Sequence, residues 1–260
     1  MIKMLYFYKK IDKLLTLGQS ACAGRNFYGR ICVHGRWKGN KNLYRNIDFL
    51  RRINKNGIII KIIYDSFHTG HIGLIVYSNG FVSYILLASE SYLKDHVYCG
   101  SIKPVNLEKE QGSSYLLNEI KLFSTVSNIE LKPYKGAQLI RSAGSSCLLI
   151  GKIKNKAILK LNSGWQLKIS VNCMAMIGAI SNAEHKKLIL GKAGKSYFLG
   201  FKPKVRGVAK NPCDHPHGGG NGKKSKPKMP VNFKARATVD VPTTNKKHQR
   251  LKRRLFKIYV

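Results

Sequence analysis

A formal charge of +35 on 260 residues, from 47 Lys and Arg against 12 Asp and Glu, constrains this chain more than any motif in it. A compact body with that excess repels itself unless a polyanion neutralises it, and nucleic acid is the polyanion that meets so many cations. The excess is uneven. Residues 201–260 hold 17 basic and 2 acidic residues, a net +15, which leaves 30 minus 10, or +20, for the first 200. Hydrophobic residues make up 43% of the chain, enough to build real cores. A folded protein with a more basic C-terminal quarter is expected.

The apolar residues fall in short β-type runs. "GIIIKIIYD" (57–65), "HIGLIVY" (71–77) and "FVSYILL" (81–87) are rich in β-branched residues, and Asn79-Gly80 between two of them is a hairpin signal. Residues Ile58 to Leu87 are therefore predicted to form a three-stranded antiparallel meander. After a lapse in the apolar pattern at Gly112–Asn118, the runs "SNIELKP", "CLLIGKI", "KAILKL" and "WQLKISVN" predict a second small barrel. The fold class is all-β. The organisation expected is an arm or organellar presequence over 1–23, an RNA-binding barrel over 24–118, a second barrel over 119–200 and an extended basic tail over 201–260. The tail holds Pro203, Pro212, Pro216, Pro227, Pro230 and Pro242 and few large apolar residues, so it is expected to stay extended until a partner orders it. Trp165, at the head of a strand, is expected in the core; Trp37, between Arg36 and Lys38, is expected to stack on bases.

Six cysteines stand far apart with no CxxC pair, which reads as reduced thiols. No apolar run approaches the roughly 20 residues that span a bilayer, and the opening "MIKMLYFYKKIDKLLTLG" lacks the apolar core of a secretory signal.

Two motifs invite chemistry. "GKAGKS" (191–196) ends like a phosphate-binding loop, but the position that loop needs as its first glycine is Ile189; a turn presenting Lys192 and Lys195 to phosphate is expected instead. "NPCDHPHGGG" (211–220) gathers Cys213, Asp214, His215 and His217, which are competent metal ligands at a poor spacing. Asp214 and His215 could also be an acid–base pair. The reading preferred here has Asp214 fixing one histidine tautomer, the glycines letting backbone pass close to a ligand, and the rings contacting RNA. A metal-dependent nuclease or hydrolase, and a non-ribosomal nucleic-acid binder, are the rival functions.

Taken in order, "GRNFYGRICV", "LYRNIDF", "IELKPYKGAQLIRSAGSS", "SNAEHKKLILGKAGKS" and "KVRGVAKNPCDHPHGGGNGKK" resemble the universal large-subunit ribosomal protein two family, in its bacterial and organellar form, from about Gly24 to Lys224. The resemblance implies an oligonucleotide-binding-type barrel followed by an SH3-like barrel, with extended basic segments at both ends threading into large-subunit ribosomal RNA. It implies neighbouring ribosomal proteins and the small subunit as partners, no membrane, no homo-oligomer, no metal and no cofactor. It also implies support of subunit association, transfer-RNA binding and the peptidyl transferase centre, with His215 and Asp214 as supporting residues and no catalytic role. The residues expected on RNA are Arg25, Arg30, Arg36, Lys38, Arg45, Arg141, Lys192, Lys195, Arg206, Lys210, His215, His217, Lys223 and Lys224. The chain departs from the family where Asn221 replaces a glutamate and where Arg36-Trp37-Lys38 replaces a glycine-rich turn. Ile-, Lys- and Asn-rich runs such as "INKNG" suggest an AT-rich genome, hence a mitochondrial ribosome before a plastid one, with a bacterial cytoplasm as the alternative.

Overall fold

A computed structural model describes residues 13–100, 110–220, 229–239 and 241. The chain divides into two units. One is built from residues 38–199 with the described residues before 22, and the other from 22–37 with the described residues from 200 onward. The RNA-contact expectations at Lys223 and Lys224, and residues 1–12 of the expected arm, lie outside the described residues.

The first unit is almost entirely β. Its strands are β1 (Thr16–Gly18), β2 (Leu43–Arg45), β3 (Lys55–Ile63), β4 (Ile72–Tyr77), β5 (Val82–Leu86), β6 (His96–Cys99), β7 (Ser114–Leu116), β8 (Thr125–Ser127), β9 (Ile129–Glu130), β10 (Ala137–Leu139), β11 (Cys147–Ile153), β12 (Lys156–Leu161), β13 (Gln166–Ser170) and β14 (Met174–Ile177). Ten of them join in one sheet, in the order β13-β12-β11-β8-β14-β7-β6-β3-β4-β5. Strands β3 to β5 are the antiparallel meander expected from the sequence. The sheet passes from one barrel to the next through a single parallel pair, Cys99 with Ser114.

The period of two along a strand explains why β4 and β5 are buried on both sides. Ile72, Leu74, Tyr84 and Leu86 enter one cluster with Ile47, Met176 and Ile180. Ile75, Tyr77, Ile85 and Leu87 enter another with Ile59, Val97 and Cys99. Gly73 is required between them, because a Cβ there would lie 2.5 Å from a Leu87 methyl. The second barrel closes over Tyr115, Leu117, Val126, Leu149, Leu159 and Ala175.

The β4–β5 and β12–β13 hairpins turn in the same way. Gly80 (φ +80°) donates to Tyr77 O and Tyr77 N–H to Phe81 O; Gly164 (φ +84°) donates to Leu161 O and Leu161 N–H to Trp165 O. Only the glycine is left-handed, so the Asn79-Gly80 hairpin uses a turn with a glycine bulge rather than the two-residue turn that needs two positive φ values. The residue after that glycine points outward. Trp165 occupies this place and is 37% exposed, which corrects the expectation that it fills the core.

Two buried ionic clusters brace the first unit. Glu130, its side chain fully buried, takes Arg52 Nη2 at 2.9 Å, Met174 N–H at 3.0 Å and Gly136 N–H at 3.0 Å. Every carboxylate oxygen thus has a donor, as a buried charge requires. Arg51, 1% exposed, donates through Nε and Nη2 to Cys99 Sγ at 3.1 and 3.0 Å and through Nη2 to Gly112 O at 2.8 Å.

The second unit contains no strand longer than an isolated bridge among its described residues. All six cysteines are free, with Cys99, Cys147 and Cys173 buried. No helix among the described residues is long and apolar enough to cross a membrane.

Candidate RNA interface

The segment 206–219 of the second unit is held by a dense set of backbone bonds. A short 3-10 turn over Gly207–Ala209 starts it, with Ala209 N–H on Arg206 O and Lys210 N–H on Gly207 O. Asp214 and His215 N–H both donate to Asn211 O, and Gly219 N–H closes the loop on Lys210 O. The His215 ring lies against Gly207, where a Cβ would meet its Cε1 at 2.5 Å and its Nδ1 at 2.6 Å. Gly218 is pressed just as closely against the backbone of Lys210 and Asn211, and a Cβ on Gly219 would lie 2.7 Å from Pro212 Cγ. The glycines therefore let the backbone of the loop approach itself closely.

The tautomer of His215 is set by the chain and not by Asp214. His217 N–H donates to His215 Nδ1 at 3.0 Å, so Nδ1 is an acceptor and the proton of the neutral ring sits on Nε2. Burial, followed by the charges of His217 and Lys210, lowers the His215 pKa below the ordinary histidine value. His217 Nε2 lies 3.0 Å from Met229 O and 3.3 Å from Val231 N, tying the chain after 229 to this loop. Asp214 is exposed. No three His, Cys, Asp or Glu side chains come together as a metal site among the described residues.

The other residues expected on RNA sort by what they already touch. Arg25, Arg30, Lys38, Lys192, Lys195 and Arg206 are exposed, and Lys210 is half-buried. Arg25 Nη1 donates to Gly29 O at 2.8 Å, which stiffens its own loop. Lys192 precedes α1 (Ala193–Phe198) and Lys195 lies within it, a single helical turn and a half where a turn had been expected. Two guanidinium groups lie over rings: Arg36 over Phe201 and Arg141 over Phe49, each 3.9 Å from the centroid. Arg45 is also held from within the chain, its Nη1 paired at 2.9 Å with the buried Asp65. His68 Nδ1 takes the other Asp65 oxygen at 2.7 Å, and Arg141 Nη2 lies 3.4 Å from His68 Nε2. Burial would raise the Asp65 pKa, but the bonds from His68 and Arg45 outweigh it and hold the carboxyl below its ordinary value.

Comparison with known proteins fits this arrangement of two barrels and one constrained loop. Residues 12–99 match the family model described as Ribosomal Proteins L2, RNA binding N-terminal domain, and residues 110–235 match Ribosomal Proteins L2, C-terminal domain. The chain belongs to the ribosomal protein L2 family. Among relatives, the large ribosomal subunit protein uL2 of Chelativorans sp. (strain BNC1) is 41% identical over 249 residues, covering 92% of this chain and 88% of the relative. That of Rickettsia prowazekii (strain Madrid E) is 44% identical over 220 residues, 84% of this chain and 79% of the relative. That of Brucella abortus (strain S19) is 42% identical over 220 residues, 84% and 78% respectively. Within this L2 chain, the seating of His215 on Gly207 escaped sequence reasoning. Its signal was the glycine of "VRGVA", which has no turn of positive φ to explain it.

Proposed function

We propose that this chain is a structural constituent of the large ribosomal subunit, binding large-subunit ribosomal RNA without catalytic activity of its own. Its membership of the L2 family and the charge balance support the reading. With 12 carboxylates against 47 Lys and Arg, at least 35 cations have no carboxylate in the chain to pair with. Phosphate is the counter-charge that remains, and each contact releases condensed counterions.

In this reading Arg25, Arg30, Lys38, Lys192, Lys195, Arg206 and Lys210 meet phosphate, as do Lys223 and Lys224. Arg36 and Arg141, already flat on rings, offer guanidinium edges, and His215 and His217 hold a loop against RNA near the peptidyl transferase centre. The first barrel binds RNA and the tail over 201–260 threads into it. Neighbouring ribosomal proteins, the small subunit and transfer RNA are the partners this position brings near. The organelle is a mitochondrion, on the strength of the Ile-, Lys- and Asn-rich runs, with the plastid or a bacterial cytoplasm as the other compartments such a ribosome occupies.

The test is sedimentation of the native lysate through sucrose at moderate salt, following this chain by mass spectrometry. Co-migration with the large subunit that survives a high-salt wash is the expected result. A chain found only in light fractions, or with DNA, would overturn the reading.

A further inference from the structure

The loop between β3 and β4 and the segment between β10 and β11 dock on each other, and one arginine sits where they meet. Ala143 N–H donates to Thr69 Oγ1 at 2.9 Å, and Asn182 Nδ2 donates to Thr69 O at 2.7 Å. These bonds fix His68 against Arg141. Asp65, its side chain fully buried, anchors the cluster. Its Oδ2 accepts the backbone N–H of Phe67 and His68 at 3.2 and 3.0 Å and His68 Nδ1 at 2.7 Å, while Oδ1 accepts Arg45 Nη1 at 2.9 Å. An ionised carboxylate only accepts, so His68 Nδ1 carries a proton. An arginine only donates, so Arg141 Nη2, 3.4 Å from His68 Nε2, requires a lone pair there. One tautomer of the neutral ring satisfies both bonds together.

We propose that His68, oriented by Asp65, is a positioning residue that holds the Arg141 guanidinium ready for an RNA phosphate while leaving its charge unneutralised. The inference rests on the RNA-binding reading above and deepens it. Arg45 and Asp65 neutralise each other, so Arg141 is the surplus charge of the cluster. Its partner is a neutral imidazole. A carboxylate in that place would cancel the charge, and an apolar side chain would leave the guanidinium free to swing. The planar face of Arg141 rests on Phe49, 3.9 Å from the ring centroid, and Phe49 is itself tied, its carbonyl accepting Ala137 N–H at 2.9 Å. The His68 ring lies between Tyr44 and Phe49, with centroids 6.0 Å from each. Arg141 is thus held by one face and one N–H, and it makes no other hydrogen bond among the described residues. Its remaining N–H groups are left for a ligand with several acceptor oxygens, which a phosphate has. A free arginine loses its rotamer freedom on binding; one already held has lost it on folding, so the contact is tighter by that amount.

The experiment measures filter retention of a large-subunit ribosomal RNA fragment by the full chain and its variants at one KCl concentration. His68→Phe keeps a ring and removes both nitrogens. His68→Gln removes the ring but can donate its amide N–H to Asp65 and offer its carbonyl oxygen to Arg141. Arg141→Ala should weaken binding about tenfold, as loss of one charge-assisted contact does. His68→Phe should weaken it about fivefold, the cost of ordering one long side chain, and His68→Gln should stay within about twofold of the parent. In the Arg141→Ala background, His68→Phe should change affinity by less than about twofold, because the ring then has nothing to hold. Binding by His68→Phe as tight as the parent's, or by His68→Gln as weak as that of His68→Phe, would overturn the inference, since the bond through Nε2 would not decide affinity. So would a loss from His68→Phe that persists undiminished without Arg141. Arg141→Ala binding like the parent would take Arg141 off the RNA and overturn the positioning role while RNA binding stands. A parent chain that retains no RNA would overturn the RNA reading itself.

Discussion

His215 and Gly207 are in contact across the loop, and no side chain fits between them: a Cβ on Gly207 would come within 2.8 Å of three ring atoms of His215. Gly207→Ala must therefore expel the imidazole or distort the turn over Gly207–Ala209. The half-buried ring is partly desolvated by its neighbours and lies close to the charges of His217 and Lys210, and its pKa is lowered from the 6.5 of an unperturbed histidine. Expulsion removes those contacts. Titration of the His215 ring by NMR should show its pKa rising to the ordinary value in Gly207→Ala. An unchanged His215 pKa would mean that the contact does not set the ring's environment. In the unaltered chain the neutral ring is the form favoured by folding. The stability it contributes is therefore complete above about 6.5 and is lost as pH falls from there through the lowered value.

Cys99 is the acceptor for a buried cation. It takes two bonds from Arg51 and one from Tyr77 OH at 3.4 Å. Cys99→Ala leaves the guanidinium in place without its principal acceptor, at a cost of about 1.5–3 kcal/mol, typical of hydrogen bonds to charged groups. Cys99→Ser keeps an acceptor and should lose clearly less. Urea unfolding followed by tryptophan emission orders the two; equal losses would show that sulfur volume, and not acceptance, is what matters.

The parts legible in the sequence were those whose own pattern decides their structure. Strands β3 to β5 and β11 to β13 carry runs of β-branched and aliphatic residues bounded by Asn-Gly and Asn-Ser-Gly turns, and all were expected. The strands β6 ("HVYC"), β7 ("SYL") and β14 ("MAMI") have no such run. They are strands because neighbours pair with them, which is a tertiary fact. "SNIELKP" reads as one strand but breaks at Asn128, whose φ of +49° separates β8 from β9. At the site, charge and motif located the loop holding His215. They could not show that Arg45 is taken by Asp65, because the two are 20 residues apart in sequence and nothing local marks the pair.

Asp65 supplies an acid-dependent term of known sign. Its carboxyl is held below the ordinary value of 3.8, so folding favours the charged form. That stability is fully present above 3.8 and disappears as pH falls through the lowered value. Asp65→Asn removes the charge of the ion pair with Arg45 and leaves one acceptor oxygen where Arg45 and His68 now have two, and should cost about 1–3 kcal/mol at neutral pH. Measured by urea midpoint against pH, the variant should lie below the parent at pH 7, and the gap should begin to close as pH falls below 3.8 and close fully only below the lowered value. Parallel curves across that range would show that Asp65 is not the group responsible.

Lys192 and Lys195 test the charge argument directly, because both are exposed beside α1 and neither belongs to a core. About ten phosphate contacts give a log–log slope of binding against salt of roughly −7 to −9. Replacing both lysines by glutamine removes two contacts, so the slope should become shallower by about 1.4–1.8 and affinity should fall by a similar factor on every RNA sequence. Filter binding of a large-subunit RNA fragment over a range of KCl concentrations reads both quantities. A fall confined to some sequences would assign the pair to base recognition. An unchanged slope would mean that α1 does not touch the backbone, and the phosphate contacts would then have to come from the other exposed cations.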